Sequence, residues 1–475
     1  MWYRLLTLLL AVINCSVNIN AQHQELNERP QIYKNKLSES ADSNSFLSMF
    51  TLGKFSGNAR YYFSSTDNTR QLSDYYAHAL GVGLHYETAR YHSFQAGISG
   101  YSIFNLGSSK LNIPDSSTGL MNRYEIGLFD IESPESKYAI TKLEELFLKF
   151  SFRQSYVKFG KQFINTPFIN LQDGRMHPTA VEGLWLELNE LKNSRLEFGL
   201  LYAITPRSSS HWFDIGSSVG IYPTGINPDG KKSGYRNNTR SKGIAMIGYQ
   251  NTGITNMKFQ IWDLFAENIL NVLMLQFDYN VMINEKLMSF TSLQFIHENA
   301  VGDGGNPDIK KAFITPGSTA SCYGLKTGLK INNWEWSINY NRIGDQGRYL
   351  MPREWGRDPF FTFLARERNE GLGDVHAFMS KLQYHKKSKG IKISFAAGHY
   401  ILPDVTNTAL NKFSMPSYTQ LNLEMRYTFQ GILKGLESQF LFIRKINAGS
   451  IYQDDKNVFN KVDVSIYNLV LNYFF

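Results

Sequence analysis

Apolar and polar positions alternate one for one along much of this chain, in short segments separated by turn-forming residues. In 419–429, Leu421, Leu423, Met425, Tyr427 and Phe429 interleave with Asn422, Glu424, Arg426 and Thr428. A period of two marks a strand that is greasy on one face and wet on the other. The same reading predicts strands at 54–64, 76–87, 93–104, 143–152, 156–163, 181–189, 195–204, 243–249, 256–265, 270–282, 286–297, 322–331, 334–343, 374–384, 391–401, 437–446 and 464–475. That makes about eighteen strands, an even number, as is usual in single-chain transmembrane barrels. The phase is unclear at 286–297, 374–384 and 437–446, which leaves the count open by a hairpin.

Tight turns and long links alternate between these strands. Turns at 153–155, 191–193, 251–253, 283–285, 332–333, 386–389 and 430–431 trade places with links at 105–142, 206–240, 298–319 and 344–373. Short periplasmic turns and longer outer loops give a transmembrane β-barrel this order, and a soluble sandwich has no reason to keep it. The link at 163–180 is of special interest. Asn165-Thr166-Pro167-Phe168, Asp173-Gly174-Arg175-Met176 and Pro178 break any regular element there. Yet Phe163, Phe168, Ile169 and Leu171 want burial. The expectation is a loop folded into the lumen, narrowing it and holding Asp173 and Arg175 in the path.

Composition agrees with a barrel. The 43% hydrophobic content and the 33 Phe and 27 Tyr coexist with a mean hydropathy of −0.30, so apolar residues are finely mixed and not blocked as in helical membrane proteins. The one apolar run, Leu5 to Val12 after Arg4, reads as a signal peptide over 1–21. A polar periplasmic lead-in over 22–50 and a barrel over 51–475 follow. Removal of the signal leaves Cys322 alone, so no internal disulfide is expected. With no further helix-length apolar stretch, membrane residence requires a barrel. In the last strand Tyr467, Leu469, Leu471, Tyr473 and Phe475 share one face. That strand looks like the carboxy-terminal signal read by the barrel-assembly machinery of the bacterial outer membrane, with Tyr473 and Phe475 as its aromatic end.

The net charge of +8 points to anionic solutes or lipopolysaccharide as partners, since an exported chain rarely meets nucleic acid. Strand phase turns Arg60, Lys149, Lys158, Arg195, Lys258, Lys326, Lys330, Lys392 and Arg426 toward the lumen, with Glu145, Glu197, Asp278, Glu335 and Glu424. Bases outnumber acids, which favours anions in a wet pore; the plainer alternative is that they hydrate the wall and pair with one another. The link 344–373 carries Arg348, Arg353, Arg357, Arg366 and Arg368, whose planar forks suit carboxylates. Trp355, Phe360, Phe361 and Phe363 argue that this link is more than a solvated loop. There is no HExxH, GxSxG, Walker loop or CxxC pair. The Gly-rich loop with Asp303, Asn306 and Asp308 lacks calcium-ligand spacing and a terminal Glu. Neither metal, cofactor nor catalytic set is expected.

The runs GKQFINTPFINLQDGRMHP and WGRDPFFTFLARERNEGLGD, with the closing aromatic strand, together resemble the OprD family of outer-membrane porins. The resemblance implies an eighteen-stranded, monomeric or weakly trimeric channel. Inward-folded loops would form a constriction, and a ladder of arginines would line one wall to pass small, often carboxylated nutrients. It makes Asp173 and Arg175 in the third outer loop, and Arg353, Arg357, Arg366 and Arg368 in the seventh, constriction candidates. Arg60, Arg195 and Arg426 rest on strand phase alone. The polar lead-in and the long second and fourth loops depart from the family pattern. The function expected is passive diffusion of small hydrophilic, anionic or carboxylated solutes. The alternatives are an oligosaccharide-type channel, or a surface-binding or enzymatic barrel with a closed lumen.

Overall fold

The computed structural model describes residues 32–33, 43, 45–69, 71–133, 140–172, 175–367 and 369–475. The expected signal peptide and most of the expected lead-in lie outside them. A short helix, α1 (Phe46–Thr51), capped by Ser45, precedes the sheet.

Among the described residues nineteen strands follow: β1 (Lys54–Asp67), β2 (Tyr75–Glu87), β3 (Phe94–Ser108), β4 (Ile140–Phe152), β5 (Ser155–Gln162), β6 (Ala180–Leu188), β7 (Ser194–Thr205), β8 (Phe213–Asp214), β9 (Ile244–Asn251), β10 (Met257–Ala266), β11 (Leu270–Asn284), β12 (Leu287–Ala300), β13 (Thr319–Ile331), β14 (Trp334–Ile343), β15 (Val375–Lys386), β16 (Ile391–Ile401), β17 (Tyr418–Thr428), β18 (Leu436–Asn447) and β19 (Val464–Phe474). Each pairs antiparallel with its neighbours. β1 closes on β19 from Asn58 opposite Phe474 to Asp67 opposite Ser465. β8 pairs only with β7, through Ile204–Phe213 and Ala203–Asp214. The result is a closed barrel of eighteen strands with one extra strand inside an outer loop. Closure leaves no unpaired edge for lipid to face.

The tight turns follow from local chemistry. Ile331 pairs with Trp334, so Asn332-Asn333 is a two-residue hairpin, and Asn332 takes φ 51 as asparagine tolerates. At the seam, Phe475 and Gly57 exchange backbone hydrogen bonds of 2.7 and 3.1 Å. The Phe475 ring lies over Gly57, in the space a Cβ would need.

Leu84, Leu148, Phe159, Trp336, Phe395 and Leu469 stand exposed on the outer face, where lipid is their solvent. The inner face is polar toward the periplasmic end. Toward the outer end it is apolar, because outer loops fold in and cover it. Tyr62, Ala77, Ile103 and Ile244 of the wall join Phe168 and Ile169 of the third loop and Trp355 and Phe360 of the seventh in one buried cluster. This explains the unclear phase of β18: Leu441 and Ile443 face the covered lumen while Phe440 and Phe442 face lipid.

Candidate functional site

Loop 3 (163–179) and loop 7 (344–374) meet inside the barrel. The Asn170 side chain donates from Nδ2 to the Arg357 carbonyl at 2.9 Å. The Arg357 backbone N–H donates back to Asn170 Oδ1 at 3.1 Å. The Thr179 hydroxyl donates to the Glu354 carbonyl at 3.0 Å. Glu354 in turn accepts backbone N–H groups of Gly220 and Tyr222, in loop 4 (206–243), at 3.0 and 2.9 Å. Burial raises the Glu354 carboxyl above its ordinary range, and these bonds work against that rise.

The barrel wall holds loop 3 from below. Arg60, inward on β1, donates from Nη1 to the carbonyls of Arg175 and Met176 at 2.6 and 3.1 Å, and from Nε to Asn472 Oδ1 at 2.6 Å. Arg175 takes the left-handed φ of 51 and donates to the Tyr124 carbonyl at 2.8 Å. Tyr124 belongs to loop 2 (109–139), where Gly127 leaves the space its guanidinium fills. Loop 2 is itself pinned to β1: Glu125 accepts from Ser64 and Thr66 at 2.8 and 2.7 Å. Arg366 of loop 7 reaches the same wall, donating to the Tyr62 hydroxyl at 2.7 Å and Asn468 Oδ1 at 2.9 Å. Arg60 and Arg366 therefore stand near one another on the β19–β1 wall. Arg357 lies 4.3 Å from the Phe363 ring centroid.

Arg353 sits elsewhere, in a buried cluster among loops 4, 7 and 8 (402–417). It pairs with Glu370 at 2.9 Å, stacks 4.0 Å over Phe413 and donates to the Pro223 carbonyl. Lys412 completes the cluster, 3.3 Å from Glu370 and over the Tyr235 and Phe313 rings. Desolvation lowers its amine below the ordinary value. Asp173 and Arg368 lie outside the described residues.

Below loop 3 lies a cavity of about 400 Å³ whose walls include Lys149, Lys158, Arg195 and Lys258 with Glu87, Glu187 and Glu197. The Lys158 amine lies 3.5 Å from the Phe147 centroid and 3.3 Å from Glu145; Lys149 lies 4.9 Å from the Tyr156 ring. Trp185 and Trp262 complete one side. Arg195 pairs with Glu197 at 3.1 Å. On the opposite wall Arg426 pairs with Glu424 at 2.6 Å and stands across from Lys392. Lys326 faces the lumen beside Glu335 and Lys381 in a second, smaller recess.

The sequence profile described as outer membrane porin, OprD family, matches residues 53–346. The chain belongs to the OprD family. It is therefore an outer-membrane porin, in a family of channels. A search of curated proteins found no match. Among solved structures, Acinetobacter baumannii OccAB2 is similar at a TM-score of 0.69 and 15% identity, covering 90% of this chain and 99% of that one. Pseudomonas aeruginosa OpdK, solved with vanillate, gives 0.68 and 14%, with coverage of 90% and 99%. Pseudomonas aeruginosa OccD3 (OpdP) gives 0.66 and 11%, with coverage of 98% and 97%. At these identities the likeness is one of fold.

This OprD-family porin also uses residues that the sequence pattern did not single out. Asn170 carried no signal beyond lying in a breaker-rich loop. Lys142 falls at the ambiguous start of β4, and its amine approaches the carbonyl of Pro206 at 3.1 Å. Lys445, on the strand of unclear phase, donates to the Arg366 carbonyl at 2.7 Å.

Proposed function

We propose that this porin passes small hydrophilic, anionic or carboxylated solutes by passive, selective diffusion. The observation that carries this reading is the cavity beneath loop 3, where Lys149, Lys158, Arg195 and Lys258 outnumber three carboxylates among Phe147, Tyr156 and Trp185. Fixed amines attract a carboxylate, and rings beside them suit an apolar body. The vanillate described with OpdK is a solute of that chemistry. Arg175, Arg357 and Arg366 are proposed to form the constriction, with Arg60 on the lumen wall beneath them. Asp173 and Arg368 are proposed to join them, and Arg353 to act from the loop cluster above. Lys326 and Arg426 extend the basic wall.

An oligosaccharide channel is the second reading, favoured by Trp185 and Trp262 along the same cavity. A closed, surface-binding or enzymatic barrel is the third. The deciding experiment is planar-bilayer recording with reversal potential under a salt gradient. Anion preference that falls in Arg357→Ala or Arg366→Ala supports the proposal. Openings without ion preference turn it toward neutral solutes, and a folded barrel that never opens turns it toward surface binding or catalysis.

Residues 1–21 are proposed to be cleaved on export, and 22–50 to lead in from the periplasm to the barrel at 51–475, with Tyr33 reaching in among β4, loop 3 and β6. Tyr473 and Phe475, both outward-facing and exposed, are the proposed handle for the assembly machinery, and the basic outer loops the contact for lipopolysaccharide. Deletion of Phe475 should slow assembly in cells while leaving refolding in detergent intact.

A further inference from the structure

Beside loop 3 the lumen holds a residue from ahead of the barrel. Tyr33 precedes β1 yet is only 1% exposed. Its hydroxyl donates to Glu144 Oε2 at 2.8 Å. Its ring stacks on His85 with centroids 5.2 Å apart and planes 22° apart. Phe163, Leu171 and Ala180 cover its sides, and an added Cβ on Gly83 would stand 2.8 Å from its hydroxyl. These neighbours come from β2, β4, loop 3 and β6, so the ring is lodged in the barrel wall.

The position borders the proposed path. Phe163, which packs on Tyr33, is also a wall of the cavity beneath loop 3. His85, under the Tyr33 ring, contacts Glu145 at 3.1 Å, and Glu145 contacts the cavity residue Lys158. The seat offers one acceptor for a hydroxyl, one aromatic face and apolar sides. That set is complementary to a phenol.

We propose that Tyr33 is a tethered occupant of this phenol-sized seat. It narrows the conduction path and competes there with solutes that carry an aromatic ring and a hydrogen-bond donor. The inference rests on the channel reading above. When the ring leaves this seat and returns, the current carried by single channels flickers.

Bilayer recordings of the mature protein test this. Wild type should show brief partial closures that Tyr33→Ala removes, with a gain in mean current. Tyr33→Phe keeps the ring but loses the bond to Glu144, so its closures should be shorter. Adding p-cresol to Tyr33→Ala should restore flicker, and cyclohexanol should not. Currents in Tyr33→Ala that match wild type overturn the proposal and leave the channel reading standing. A second readout needs no current: p-benzoylphenylalanine in place of Tyr33, irradiated in outer membranes, should crosslink to peptides carrying His85, Glu144 or Phe163. Failure to crosslink there overturns the seat. Crosslinking without current in any variant overturns both the competition and the channel reading.

Discussion

Asn170 and Arg357 exchange two hydrogen bonds, side chain to carbonyl at 2.9 Å and backbone N–H to side chain at 3.1 Å. A single amide thereby joins loops that lie far apart in sequence, because its oxygen and nitrogen satisfy both backbone groups of one residue.

Asn170→Ala removes both of these bonds, at a cost of about 1–3 kcal/mol. The barrel ladder is untouched, so the loss should be local. Hydrogen exchange should quicken at 163–179 and 344–374 while strand amides stay protected. Equal protection in both loops would show that the packing of Phe168, Ile169 and Trp355 holds them without this bond.

Arg60 anchors loop 3 through two carbonyls and contributes a fixed charge, and two substitutions separate these roles. Arg60→Met removes both, costing on the order of 3 kcal/mol in loop ordering, with noisier currents and weaker anion preference. Arg60→Lys keeps the charge but lacks the planar group whose Nη1 donates to Arg175 O and Met176 O while Nε holds Asn472 Oδ1. It should loosen loop 3 yet retain the reversal potential.

Glu370 balances Lys412, which is 2% exposed. Glu370→Gln strands a buried amine, an effect worth about 3–5 kcal/mol. Proteases should then cut loops 7 and 8 faster while the barrel strands stay uncut. Pairing it with Lys412→Met removes the stranded amine and should recover part of the protection, since Arg353, the other partner of Glu370, still lacks its carboxylate.

Lys461, in the loop between β18 and β19, carries a pH dependence. Burial, with the neighbouring Arg123 charge, pushes its amine down from the ordinary 10.5 to about 7. Between those values the unfolded chain binds a proton that the folded one does not, so stability rises with pH. Below about 7 both states hold the proton, and the full cost of burying the charge remains. Thermal melts from pH 6 to 10 should show that rise in the wild type, and Lys461→Met should flatten it and melt higher at pH 7. A rise that persists in the variant would assign it to another group.

The sequence by itself determined the barrel. A strand that faces lipid on one side and polar lumen on the other must alternate, and Leu421 through Phe429 do so without help from any other part of the chain. Asn332-Asn333 fixed its hairpin equally locally. Only the tertiary structure decided the interior. Leu441 and Ile443 look like lipid-facing residues until loops arrive to cover them, and no period records that arrival. Arg353 and Arg366 occupy the same loop and carry the same charge, yet one pairs with Glu370 and the other reaches Tyr62 on β1. Tyr33 had no local pattern to announce that a barrel wall would enclose it. Strand patterning is written in neighbours along the chain, whereas the lumen is written in contacts between residues that only folding brings together.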